Sequence, residues 1–304
     1  MRRTMAVLTG FCLVIFGAAC GDERGRTRAT ASPPPSASPP PSAAERPAAG
    51  DHRLALRHDG TERSYLLHAP PGYDPATPLP LVIVMHFYPG DGAAMRQMVG
   101  LDAKADREHA LVAYPDGRYG GFNALICCGS SDDVGFLKAL TAHLVDTWRA
   151  DPDRVYLTGI SNGGDMSFRA AVEAEGMFAA IGVVSGGYSG PRTAAEDYVP
   201  KRPVSVITFI GGQDVYADIF SEGMRTWQRR LGCRPAPGPR RTAPAGISRT
   251  DARCADGSDV TVYTIPDMGH SWPGATAGQL AAPRAGVVAT DLVWAFFAAH
   301  PRRT

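Results

Sequence analysis

Three side chains of the 304-residue chain are of the types that nucleophilic acyl transfer needs, and they occur in a workable order. Ser161 sits in Gly159-Ile160-Ser161-Asn162-Gly163, a G-x-S-x-G pattern with a strand-like run before it and a helix-like stretch after it. In that setting the turn is sharp and lifts the serine oxygen above the strand ends. Glycines flank it because a side chain there would meet neighbouring backbone. A plain Gly-rich turn capped by Ser161 is the competing reading. A phosphate loop is weaker, since no Lys follows and the Walker spacing is absent.

A serine hydroxyl becomes a nucleophile only when a base takes its proton, and the base needs a carboxylate to orient it. His270, in Gly269-His270-Ser271-Trp272-Pro273-Gly274, follows a predicted strand and precedes the final helix, which makes it the candidate base. Asp214 follows the predicted strand Val204–Ile210 through Gly211-Gly212-Gln213 and is the candidate acid. Asp218 is its rival and fits a helix cap better, while Asp267 is too close in sequence to His270. The oxyanion that forms during acyl transfer needs backbone N–H donors. Asn162 supplies one, and Phe87 or Tyr88, after the predicted strand Leu81–His86, supplies the other. Trp272, Phe122 and Tyr88 are candidates for an aromatic wall against the substrate, with ordinary packing as the competing reading for each. This chemistry calls for no metal or cofactor, and the cysteines have neither the spacing nor the His neighbours of a zinc site.

These residues need a scaffold that brings distant loops to one edge. Thr61–Ala69, Leu81–His86, Leu111–Tyr114, Arg154–Thr158, Ala179–Ser185, Val204–Ile210 and Val260–Ile265 read as strands, several of them continuous apolar runs. Helix patterns fall between them. Val134–Arg149 puts Leu137, Leu140, Leu144 and Trp148 on one face, with Asp132 or Asp133 as its cap, and another helix runs from the Ser161 turn to Glu175. The last helix aligns Val288, Leu292, Phe296 and Phe297. Alternation of this kind predicts an α/β fold with a single, mostly parallel sheet and helices on both faces.

The length alone suggests two domains, but positions 31–50 hold seven Pro, six Ala and four Ser, the composition of a linker. Before it, Arg2 and Arg3 precede an uncharged run from Met5 to Ala19 that ends in Gly17-Ala18-Ala19-Cys20. That is the layout of a secretory signal peptide over residues 1–19, too short for a membrane span of about 20 residues. The run resembles a bacterial lipobox, with Gly17 where Leu is usual, and so implies lipidation of Cys20. Residues 20–50 then form a tether, and 51–304 one catalytic domain. Six of the 31 basic and three of the 30 acidic residues lie in the first 50, leaving 25 and 27. Such a balance argues against a nucleic-acid partner. The expected partners are a substrate and, through the lipid, a membrane, with the domain itself a monomer at the cell surface or released.

In an oxidising compartment Cys127, Cys128, Cys233 and Cys254 allow three pairings. Cys233 and Cys254 flank a Pro-, Arg- and Gly-rich loop where a staple makes physical sense. Cys127 and Cys128 are then left to each other, a strained vicinal bond, with free thiols or crossed pairing as alternatives.

Gly159–Met166 (G-I-S-N-G-G-D-M), Cys127–Gly129 (C-C-G), Asp132–Leu137 (D-D-V-G-F-L) and Gly269–Gly274 (G-H-S-W-P-G), in that set, resemble the secreted polyhydroxybutyrate depolymerase family. These serine esterases are related to feruloyl and acetylxylan esterases and include mycobacterial-type esterase lipoproteins. The resemblance spans roughly residues 52–300. It implies an α/β-hydrolase fold and a serine carboxylesterase with Ser161, Asp214 and His270 at the triad positions. An acyltransferase using the same triad, or a non-catalytic surface lipoprotein keeping the fold, are the alternatives. Departures border the expected cleft: Phe87 stands where the family has Gly, Phe122 where it has Trp, and Ile210 where it has His.

Overall fold

The computed structural model describes residues 47–236, 244 and 246–302. The expected leader, Cys20 and nearly all of the tether lie outside these residues.

The chain opens with an antiparallel hairpin of β1 (Gly50–His58) and β2 (Thr61–Ala69), joined by an Asp59-Gly60 turn. There follow β3 (Leu79–Met85), α1 (Gly92–Val99), α2 (Leu101–Glu108), β4 (Leu111–Pro115), α3 (Asp133–Trp148), β5 (Ala150–Ile160), α4 (Asn162–Glu173), β6 (Ala180–Val184) and β7 (Ser205–Gly211). After these come α5 (Ala217–Arg230), β8 (Arg234–Pro235), β9 (Ser248–Arg253), β10 (Asp259–Ile265), the short pair β11 (Trp272–Pro273) and β12 (Ala281–Ala282), and α6 (Ala289–Ala299). The main sheet runs in the order β1-β2-β4-β3-β5-β6-β7-β10-β9-β8. Its six central strands, β4 to β10 in that order, are parallel, and antiparallel pairs finish both edges.

The central strands read as unbroken apolar runs because both of their faces are covered. In β3, Leu81, Ile83 and Met85 pack into one layer with Phe136, Leu140, Phe168 and Trp227 of α3, α4 and α5. Val82 and Val84 point the other way, into a layer with Met95 of α1, Leu101 of α2 and Val293 and Phe297 of α6. Each such side chain, fully withdrawn from water, contributes about 1.5–3 kcal/mol. The fold class is thus a mostly parallel α/β sheet with helices on both faces. Among the described residues, no helix is long and apolar enough to cross a membrane.

The two aspartates before α3 divide the work. Asp132 caps the helix, accepting the Gly135 N–H at 2.9 Å. Asp133 is buried and takes a 2.6 Å bond from Arg63 of β2, while its second oxygen accepts the Asn123 N–H at 2.7 Å. An ion pair so far from water holds because every oxygen is bonded. Its effect is to moor the loop after β4 to the body of the sheet.

Candidate active site

Parallel strands all end at one edge, and loops from β3, β4, β5, β7 and β10 meet there. Ser161 ends β5 and begins α4 with φ 55° and ψ −123°, a conformation that costs an ordinary residue about 1–3 kcal/mol. Two features hold it. The Ser161 N–H donates to Val184 O at the end of β6, and the Asp165 N–H donates back to Ser161 O. The flanking glycines are a matter of space: a Cβ on Gly163 would lie 2.2 Å from Met85 O and 2.8 Å from His86 O, and one on Gly159 would lie 2.7 Å from Met85 O. The Ser161 turn is therefore pressed directly against the end of β3 and the loop after it.

The candidate acid and the candidate base come from adjacent strands. Asp214 follows β7 and His270 follows β10, and the two loops are tied by Gln213 N–H to Met268 O at 2.9 Å and Gly212 N–H to Ile265 O at 2.8 Å. Asp214 is buried, with Oδ2 at 2.8 Å from His270 Nδ1 and Oδ1 accepting the Tyr216 N–H at 3.0 Å. A proton on Nδ1 then leaves Nε2 of His270 as the free base. Tyr216 meets the imidazole edge-on at 5.8 Å between centroids. Asp218 is exposed in the first turn of α5, where it faces the positive helix end, and Asp267 is exposed on its loop. Among the described residues the Ser161 hydroxyl has no hydrogen-bond partner.

Of the expected oxyanion donors, Asn162 opens α4, where backbone N–H groups have no helical acceptor. Phe87 is buried and Tyr88 half exposed on the loop after β3, and among the described residues neither N–H has a partner. His86, the last residue of the predicted strand Leu81–His86, organises that loop. Its Nδ1 donates to Phe87 O at 2.7 Å and its Nε2 accepts the Gly117 N–H at 2.9 Å, so the ring is neutral. Burial pushes its pKa below the ordinary histidine value, against an opposing bond to Phe87 O. The only sequence signal for this role was its place at the end of β3.

Two expectations for the aromatic wall are corrected. Trp272 is fully buried, with Nε1 donating to Thr290 Oγ1 at 3.1 Å, and so serves the α6 side of the core. Phe122 is also fully buried, its ring 4.6 Å from that of His86. Both rings gain more from full burial than a rim position allows. Tyr88 remains exposed, and it has company that the sequence did not single out. Tyr119 and Ile126 follow β4, and Val215, Tyr216 and Ile219 follow β7, all exposed at the same sheet edge as Ser161.

Both expected disulfides are present, Cys127–Cys128 and Cys233–Cys254. Asp51, His68 and Asp102 place potential ligand atoms within 4.8 Å of one another, but the Arg96 guanidinium lies against both carboxylates and already supplies their countercharge. A cavity of about 330 Å³ opens at the opposite edge, where β6 and β7 begin, lined by Arg202, Ser205, His300 and Arg302. It contains none of the candidate catalytic groups.

Comparison with known proteins places the chain among esterases. Residues 63–199 match the family model described as Esterase PHB depolymerase. The protein NocK of Nocardia uniformis subsp. tsuyamanensis, named as an esterase, is 30% identical over 260 residues, covering 71% of this chain and 72% of its own. Feruloyl esterase C of Emericella nidulans is 28% identical over 247 residues, covering 78% and 84%. An acetyl xylan esterase from Aspergillus awamori superposes with a TM-score of 0.56 at 16% identity, over 73% of this chain and 94% of that one, a likeness of fold.

Proposed function

Because the chain belongs to the PHB depolymerase family of esterases, and is a hydrolase of carboxylic esters, we propose that Ser161 is its nucleophile, His270 its base and Asp214 the acid that orients His270. The 2.8 Å bond between His270 Nδ1 and Asp214 Oδ2, set at the same sheet edge as the strained Ser161 turn, carries this reading. As Ser161 Oγ attacks the ester carbonyl, His270 Nε2 takes its proton, and Asp214 stabilises the imidazolium. The Asn162 N–H and one from Phe87 or Tyr88 hold the oxyanion. His270 then protonates the departing alcohol, and the same histidine activates water to release the acyl group from Ser161.

The exposed rim of Tyr88, Tyr119, Ile126, Val215, Tyr216 and Ile219 supports a neutral, apolar or aromatic ester as substrate. The sequence supports export by the leader over residues 1–19, lipidation at Cys20, and a tether that holds the domain of residues 51–304 off the membrane.

The test is turnover of a short-chain aryl ester by Ser161→Ala. The variant should lose about 10⁴-fold or more of kcat. Retention of more than a tenth of wild-type turnover would overturn the assignment.

A further inference from the structure

The side chain of Asn162 does something that its backbone role does not require. Its Oδ1 accepts the Phe122 N–H at 2.8 Å and its Nδ2 donates to Phe122 O at 2.9 Å. One carboxamide thus pairs with both polar groups of a single residue, as a neighbouring strand would. Nδ2 also reaches Cys127 O at 3.3 Å, and that carbonyl accepts the Ala124 N–H at 2.8 Å. Both Asn162 and Phe122 are buried, where such bonds are strengthened and their loss is most costly.

Phe122 carries the connection onward. Its ring packs on His86, and His86 bonds Phe87 O on one side and the Gly117 N–H on the other. A continuous set of contacts therefore runs from the peptide after the nucleophile to the loop that carries the second oxyanion donor. The Cys127–Cys128 disulfide closes a small ring around the peptide whose carbonyl Asn162 holds, which limits how far that carbonyl can turn. Crowding fixes the same point from outside. A Cβ on Gly121 would lie 2.6 Å from Tyr88 Cδ2, 3.2 Å from Cys128 Cβ and 3.4 Å from Asn162 Oδ1. The chain leaves that position to glycine, and the three groups converge there.

We propose that the Asn162 carboxamide and the loop of residues 121–129, with its vicinal disulfide, form one positioning unit that sets the spacing between the two oxyanion donors. It rests on the reading that Ser161 is acylated. Asn162 here is a positioning residue through its side chain, whatever its backbone N–H donates. A donor pair set to the oxyanion and not to the ground-state carbonyl acts on kcat and leaves KM nearly unchanged.

The experiment compares wild type, Asn162→Asp and Ser161→Ala on a short-chain aryl ester, with thermal unfolding of each. Asn162→Asp keeps the shape but turns an acceptor toward the carbonyls of Phe122 and Cys127. It should lower kcat about 10- to 100-fold with KM changed less than about threefold, read at a temperature well below its own, lowered unfolding midpoint. A second measurement stands if that variant fails to fold. In a Cys233→Ala/Cys254→Ala background, the vicinal bond is the disulfide left for dithiothreitol to reduce among the described residues. Two electrons and two protons then pass to Cys127 and Cys128, and the reagent leaves as its cyclic disulfide. kcat should fall severalfold, with KM and far-UV spectrum unchanged, and recover on reoxidation.

A kcat within about twofold of wild type in either experiment overturns the proposal, as does a loss that tracks unfolding. If Ser161→Ala loses turnover while Asn162→Asp keeps it, this inference alone fails. If Ser161→Ala stays active, the reading beneath it fails as well.

Discussion

Asp214 Oδ2 lies 2.8 Å from His270 Nδ1, with the carboxylate side chain wholly withdrawn from solvent and the imidazole a quarter exposed. In the proposed mechanism this contact fixes one tautomer and lets the carboxylate face the positive charge that the ring acquires. Replacing Asp214 with Asn keeps the shape but lets the ring carry its proton on the wrong nitrogen. Asp214→Asn should reduce kcat by about 10³- to 10⁴-fold, with KM little changed. Steady-state kinetics on an aryl ester would measure this, and a loss under tenfold would remove Asp214 from its role.

A second buried carboxyl lies beneath the nucleophile turn. Asp165 of α4 accepts the Gly187 N–H at 2.8 Å, and burial, opposed by that one bond, raises its pKa to about 7. The folded chain then holds this proton more tightly than the unfolded chain, where the ordinary value is 3.8. The contribution to stability is complete below the unfolded value and is lost as pH rises through the folded one. Asp165→Asn keeps an acceptor for Gly187 and has no proton to lose. It should stabilise the protein at pH 8, by on the order of 4 kcal/mol at most, and change little at pH 4. Thermal unfolding at the two values is the measurement, and an equal shift at both would contradict the assignment.

The Arg63–Asp133 pair makes a prediction about stability. Both side chains are almost fully buried, and Arg63 also lies over the Phe136 ring at 4.0 Å. Arg63→Met leaves the Asp133 charge without its countercharge and should cost about 3–5 kcal/mol. Denaturant unfolding of the single variant should show this. The double variant Arg63→Met/Asp133→Leu should recover part of the loss, and no recovery would mean that the pair is not the unit at fault.

Much of this was legible before any coordinates. The central strands announced themselves as apolar runs because both faces of β3, β5, β6 and β7 are covered, and G-x-S-x-G between a strand and a helix placed Ser161. Asp214 and His270 could be named as candidates because each follows a predicted strand, and the structure brings them within 2.8 Å of each other. Less legible was β1, whose half-exposed edge position leaves Gly50–His58 polar and without a clear pattern. The helices α1 and α2, each of eight residues and separated by Gly100, were too short to show periodicity. Phe122 and Trp272 were misplaced for a different reason: an aromatic in a loop carries no sign in the sequence of which way its ring turns. Nor does a sequence reveal that the Asn162 side chain pairs with Phe122, forty residues away.

The central claim is that Ser161 is the residue that becomes acylated, with His270 as its base. It is tested most directly by reacting the full chain with a fluorophosphonate and mapping the adduct by mass spectrometry. The account predicts a single adduct on the peptide containing Ser161, absent in Ser161→Ala and formed at least about 100-fold more slowly in His270→Ala. No adduct, or one on another serine such as Ser185, would contradict it.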